Sequence, residues 1–172
     1  MKKYFYSLLI FFISWSSSAQ IINNTIIDPD IDKEIFIGEI ETEALNNPIF
    51  IEDWEAQIGF YPSSTPLDQK LEKIFQENKE EVYVEVYFAS WCGDSQDYIP
   101  PFVELMKRIN MSRVTYYALS RKKYMPNMDT AKLNIELVPT FIVFKGDEEI
   151  GRIIESPEDS LEKDLWNILM KL

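Results

Sequence analysis

Histidine is absent from this sequence, and cysteine occurs once, at Cys92. Without histidine, Ser/His/Asp and Cys/His catalysis lose their general base, and the usual zinc sites lose an essential ligand. A single cysteine closes no disulfide within the chain, so Cys92 is not an internal staple. Glycine is scarce as well, with five residues, and no glycine-rich phosphate loop is found among them. No set of acids has the spacing of a cation-binding loop, so no metal site is expected. Basic residues are in the minority: 17 Lys and Arg face 29 Asp and Glu, a formal net charge of −12. A chain this acidic repels phosphate backbones and anionic membrane surfaces, which argues against nucleic acid as a partner.

What is present is enough for one ordinary domain: 46% of residues are hydrophobic and 14% aromatic. The chain opens MKKYFYSLLIFFISWSSSAQ, with Lys2 and Lys3 ahead of an uncharged run from Tyr4 to Trp15 and small residues ending Ser17-Ser18-Ala19. That order is the pattern of a secretory signal peptide over residues 1–19. An uncleaved membrane anchor is the alternative, disfavoured by the shortness of the run. No cysteine closes the run, which excludes a lipidated-cysteine anchor. The expectation is a mature protein starting near Gln20, exported to a periplasmic or secreted location, with no membrane association after cleavage. Loss of Lys2 and Lys3 moves the net charge from −12 to −14.

Residues 20–64 give no confident pattern and read as an N-terminal extension: a polar, acidic start, then EIFIGEI with partial alternation, then the apolar stretch from Ile51 to Phe60. From residue 65 onward the signals sharpen. Thr65 before Pro66 predicts a helix whose apolar face is Leu67, Leu71, Ile74 and Phe75. EVYVEVYF, residues 81–88, is rich in β-branched and aromatic residues and predicts a buried strand. Tyr98, Ile99, Phe102, Leu105, Met106 and Ile109 recur at helical spacing, with a kink expected at Pro100-Pro101. VTYYAL, residues 114–119, predicts a second strand, and the basic cluster Arg121-Lys122-Lys123 reads as a solvated loop. A short helix is expected over residues 127–134, then a hairpin from VPTFIVF and EIGRII turning at Gly146-Asp147. Ser156-Pro157-Glu158-Asp159 has the chemistry of a helix start, followed by the apolar face Leu161, Leu165, Ile168 and Leu169. Strand and helix alternate and a hairpin closes the series, so the expected fold class is α/β, a mixed central sheet flanked by helices.

Several features now converge on one stretch, FASWCGDSQDYIP. The element order, Trp91-Cys92-Gly93-Asp94-Ser95 at a strand-to-helix junction, Pro100 eight residues after Cys92, and Val138-Pro139-Thr140 before the hairpin together resemble the thioredoxin family. The resemblance covers roughly residues 66–172, so residues 65–172 are expected to be a thioredoxin-like domain carrying the N-terminal extension. It implies the thioredoxin fold, a cis peptide bond at Val138-Pro139, and a substrate groove built from Trp91, Gly93, Asp94, Val138, Pro139 and Thr140. It implies no cofactor.

The departures from that family matter as much. The family motif is W-C-G-P-C, whereas Asp94 stands here in place of the proline and Ser95 in place of the second, resolving cysteine. The family's buried aspartate, six residues before the first cysteine, is replaced by Val86, and the adjacent Glu85 points to the opposite face of its strand. A helix N-terminus and a hydrogen bond from Ser95 would favour the Cys92 thiolate, and the Asp94 carboxylate would oppose it. With no neighbour to resolve a mixed disulfide, the chemistry left is monothiol exchange through Cys92, with Ser95 as its catalytic support. Its partners would be protein or low-molecular-weight thiols and disulfides, and an external reductant would finish the cycle. The alternative is a non-catalytic thioredoxin-fold domain whose groove grips an extended peptide.

Overall fold

The structure, a computed structural model, describes residues 24–59, 61 and 64–172. The expected signal peptide, residues 1–19, lies outside the described residues. Thr25–Asp28 (β1) and Lys33–Phe36 (β2) pair antiparallel as a hairpin, and Gly38–Ile40 (β3) follows directly. Trp54–Ile58 forms a short helix (α1) capped by Asp53, whose carboxylate accepts from the Ala56 amide at 3.0 Å. Next come helix α2 (Asp68–Glu77), strand β4 (Val82–Phe88), helix α3 (Gly93–Arg108) and strand β5 (Val114–Ala118). Strands β6 (Thr140–Lys145) and β7 (Glu148–Ile154) and helix α4 (Leu161–Leu169) complete the order.

Five strands make one mixed sheet in the order β3-β5-β4-β6-β7, with β4 and β5 parallel and the other pairs antiparallel. The expected mixed sheet flanked by helices is present. The alternation of β4 explains its central place. Val82, Val84, Val86 and Phe88 bury one face among residues from all four helices. Tyr87 and Ile142 face the other way, into a second cluster with Ile37, Leu119, Met125, Ile135 and Val138. That second face is covered by the segment after β5, which has one 3-10 turn at Thr130–Leu133 where a short helix was expected. Pro126 and a left-handed Asn127 in this segment suit turns better than a longer helix.

Three local expectations shift. Pro66 does not open α2; the Thr65 hydroxyl and the Asp68 carboxylate bond each other at 2.7 Å, and Asp68 also accepts the Thr65 amide at 3.2 Å, so the helix starts two residues later. Ser160, not Ser156, caps α4, accepting from the Lys163 amide at 3.2 Å, and Asp164 accepts the Glu158 amide at 2.7 Å to hold the preceding loop. Helix α3 continues through Pro100 and Pro101, although neither ring nitrogen donates to the turn before it.

Residues 24–59 share the core of the residues that follow. Strand β3 pairs with β5, and Phe36, Leu45, Phe50 and Trp54 are buried in the same cluster as β4 and α3. The hairpin β1-β2 is tied to the strand-to-helix junction by the Phe36 amide, which donates to the buried Ser90 hydroxyl at 3.0 Å. Trp54 is buried in this core and Tyr61 packs against it.

Candidate functional site

Cys92 sits where β4 has ended and α3 begins. Its backbone is extended, with φ −100° and ψ 126°, and it occupies the cap position of α3, one residue before Gly93. Its amide donates to the Ala89 carbonyl at 3.0 Å, and its own carbonyl accepts from the Gln96 amide at 3.1 Å in the first turn. The sulfur is half-buried. Its thiol donates to the Val138 carbonyl at 3.2 Å, with the nearer Asp94 carboxylate oxygen at 3.8 Å as a weaker acceptor. A Cβ at Gly93 would meet nothing within 4 Å, so the backbone beside the sulfur is open to an approaching chain.

The segment facing the sulfur is fixed from both sides. The Val138-Pro139 peptide bond is cis. The Thr140 hydroxyl donates to the Leu137 carbonyl at 2.7 Å, and the Pro139 carbonyl accepts from the Glu155 amide at 2.7 Å. Val138 and Thr140 are buried, while Leu137 and Ile154 present exposed apolar side chains beside them. Cys92, Asp94 and Val138 are thus in direct contact, and Pro139 and Thr140 follow in the same strand entry.

Ser95 is elsewhere. Its side chain is fully buried, and its hydroxyl accepts from the Ala89 amide at 3.2 Å, with no hydrogen bond to Cys92 among the described residues. Ala89 follows the last residue of β4, so Ser95 ties α3 to the strand that precedes it. The contact expected from a one-turn spacing is replaced by this backbone bond because Cys92 occupies the cap, with its sulfur turned toward Val138. Val86 packs in the core, and Glu85 faces the opposite side of the sheet, where it accepts from the Tyr87 hydroxyl at 2.6 Å. Burial, reinforced by this bond to Glu85, pushes the Tyr87 hydroxyl well above its ordinary pKa.

Trp91 brings in residues that the sequence reading set aside. Its indole N–H donates to the Leu119 carbonyl at 3.0 Å. The guanidinium of Arg121 lies 4.5 Å from the ring centroid and the ammonium of Lys123 lies 4.9 Å from it. Burial lowers the Lys123 pKa; the Cys92 sulfur opposes that and Arg121 adds to it. Lys123 thus lies within electrostatic reach of the Cys92 sulfur, and Arg121 shares the Trp91 ring with it. Arg121 and Lys122 are both exposed, as the expected solvated loop has them, and Lys123 is half-buried; Lys122 pairs with Asp30 at 3.2 Å.

The loop that carries these cations is held by the N-terminal hairpin. Asp28, fully buried at the end of β1, accepts the Arg121 amide at 2.8 Å and the Asp30 amide at 2.8 Å. The Arg121 amide is the main reason that the Asp28 carboxyl stays below its usual pKa. Asp28, Arg121 and Lys123 were not singled out from sequence. The available signal was a run of three cations in a chain of net charge −12.

The Thioredoxin family model matches residues 64–167, more than half of the chain. Thioredoxin H2-1 of Oryza sativa subsp. japonica is 32% identical over 89 residues, covering 51% of this chain and 61% of the relative. Thioredoxin Y1, chloroplastic, of Arabidopsis thaliana is 32% identical over 85 residues, covering 44% of this chain and 48% of that protein. The chain therefore spans about half to three fifths of the length of these curated relatives. Among solved structures, thioredoxin of Fasciola hepatica is 26% identical, with a TM-score of 0.39, covering 59% of this chain and 89% of that one.

Proposed function

The chain belongs to the thioredoxin family, and from that premise we propose that it is an exported monothiol exchange protein in which Cys92 is the nucleophile. Proteins of this family act on protein thiols and disulfides, and this member has one cysteine for the purpose. The observation that carries the reading is the position of that cysteine: Cys92 caps α3, half-exposed, against the Val138 carbonyl and beside an open Gly93.

The chemistry follows from one sulfur. The S–H leaves its bond to Val138, and the proton passes to solvent or to Asp94, whose carboxylate oxygen lies 3.8 Å away. The thiolate attacks one sulfur of a substrate disulfide, a Cys92–S bond forms, the substrate S–S bond breaks, and the second substrate sulfur departs as a thiolate. An external thiolate then attacks the substrate sulfur of the mixed disulfide, forms a new disulfide with it and returns Cys92 as a thiolate. Trp91, Pro139 and Thr140 shape the groove in which the substrate lies. Ser95 keeps α3 docked on β4, so that its part is positional.

Export to the periplasm or beyond rests on the order of residues 1–19, and N-terminal sequencing of protein recovered outside the cytoplasm, expected to begin near Gln20, tests it. The exchange itself is tested by mass spectrometry of the protein mixed with oxidised glutathione or a peptide disulfide. One adduct per chain is expected, removable by dithiothreitol, absent in Cys92→Ala, and formed faster by the folded protein than by the same chain in urea. A folded protein no faster than its denatured form removes the reading.

A second reading has its own support. The Cys92 thiol is engaged with Val138 and has no hydrogen bond to Ser95 among the described residues, which suits a groove that binds peptide without using the sulfur. In that case peptide binding survives Cys92→Ala unchanged.

A further inference from the structure

Arg121 and Lys123 are a costly pair to hold together. Both lie over one indole ring, they repel each other, and neither makes an ion pair among the described residues, while the adjacent Lys122 does. Glu155 acts on Lys123 only through space. Against the same Trp91 is an open cavity of about 420 Å³, walled by Ile31, Ile35, Ile49 and Trp91, with Lys33 and Arg121 among its lining residues. The cavity's one carboxylate, Glu34, is engaged by the Thr25 hydroxyl at 2.8 Å. A hollow of mixed lining, with the part-exposed Ile31, Ile49 and Trp91 on its wall and cations at its border, in a chain that is otherwise strongly acidic, is complementary to a ligand with one apolar and one anionic group.

Building on the monothiol reading, we propose that this surface receives an acidic peptide segment flanking the half-cystine of a protein disulfide, with an apolar side chain between Ile31, Ile49 and Trp91 and a carboxylate against Arg121 and Lys123. The hairpin β1-β2 and its turn supply Ile31, Lys33, Glu34 and Ile35 to the cavity wall, and Asp28 is the positioning residue that holds the Arg121 loop over Trp91. The N-terminal segment thereby sets which substrates approach Cys92. Oxidised glutathione has carboxylates but no large apolar side chain, so it meets only part of the surface.

The test uses fluorescent peptides in which serine replaces the half-cystine, so that binding is read with no exchange. One peptide carries Leu and Glu beside that serine, and its partner carries Leu and Gln. Anisotropy titration of the full-length protein is expected to show about fivefold tighter binding of the acidic peptide, as one carboxylate meets two partly exposed cations. That preference should shrink as salt rises and vanish in Arg121→Gln/Lys123→Gln, both substitutions at surface positions. Equal binding of the two peptides, or a preference that persists in the double variant, overturns the proposal. So does competition by oxidised glutathione as effective as that of the acidic peptide. Asp28→Asn is expected to lose part of the preference, and full retention overturns its positioning role. Because no sulfur chemistry enters, the titration reads this surface even where Cys92 proves inert. Rapid exchange by Cys92 with no peptide preference would keep the monothiol reading and remove this one.

Discussion

Replacing Ser95 by alanine separates two roles that the sequence leaves entangled. A serine three residues after a cysteine at a helix start looks like a donor to the thiolate, whereas the structure has its hydroxyl accepting from the Ala89 amide at 3.2 Å. Both residues are fully buried, so Ser95→Ala leaves the Ala89 N–H with neither partner nor water. An orphaned buried donor costs about 1–3 kcal/mol, and a bond at the long end of the usual range places this one near about 1.5 kcal/mol. For a chain of this size that corresponds to a fall of roughly 3–6 °C in Tm. Urea denaturation followed by circular dichroism measures the loss, and iodoacetamide alkylation of Cys92 at neutral pH measures the sulfur. The expected result is a less stable protein whose Cys92 reacts within about twofold of the wild-type rate. Stability intact with alkylation slowed tenfold or more would show that Ser95 works on the thiolate after all, and the positional role assigned to it would fall.

Other perturbations test the frame that carries the site. Arg108, at the far end of α3 from Cys92, bonds Asp68 of α2 at 3.0 Å and Glu162 of α4 at 3.1 Å, with the Glu162 side chain only 2% exposed. Arg108→Met strands two carboxylates and should cost about 3 kcal/mol in urea denaturation; Arg108→Met/Glu162→Gln should recover part of that, and additive losses would refute the network. A Cβ at Gly151 would lie 2.9 Å from Cγ1 of the buried Ile168, so Gly151→Ala should cost about 2 kcal/mol, and a neutral outcome would show that α4 shifts freely on β7. On acidification, hydrogen bonds led by the Arg121 amide hold the Asp28 carboxyl below its ordinary pKa. At Asp68, burial alone would raise the carboxyl, but bonds from Thr65 and Arg108 outweigh it and lower it too. Their contribution is complete above the unfolded value of about 4 and is lost as pH falls through the lower folded values. With no histidine in the chain, stability should be nearly flat from about pH 5.5 to 8 and drop below about pH 4, the drop shrinking in Asp28→Asn; a main loss between pH 8 and 6 would contradict this.

The parts of this fold that were legible in sequence are those set by local periodicity. The strand VYVEVYF declares its buried face through Val82, Val84 and Val86, and α3 declares its own through Ile99, Phe102, Leu105 and Met106. The junction between them was legible for the same reason, since a cysteine between a strand pattern and a helix pattern has one place to be. Helix starts were less so, because capping depends on which of several polar side chains reaches an amide. Ser156 and Ser160 are chemically alike, and only the second lies three residues before the amide it accepts.

The role of the N-terminal segment was illegible for a different reason: it is carried by single contacts between residues far apart in the chain. Asp28 accepts the Arg121 amide across 93 positions, and the Phe36 amide reaches Ser90 across 54. No spacing rule links such pairs, and the strands involved are only three or four residues long. Their consequence is chemical as well as structural. A loop of three lysines and arginines left to itself would be solvated and mobile, and its charge would be screened within about 10 Å. With the loop pinned by Asp28 and both side chains over Trp91, two of those charges become a fixed feature on the residue that precedes the only cysteine. The motif around Cys92 sets what the sulfur can do, and the hairpin 60 residues earlier sets the charge of what is admitted to it.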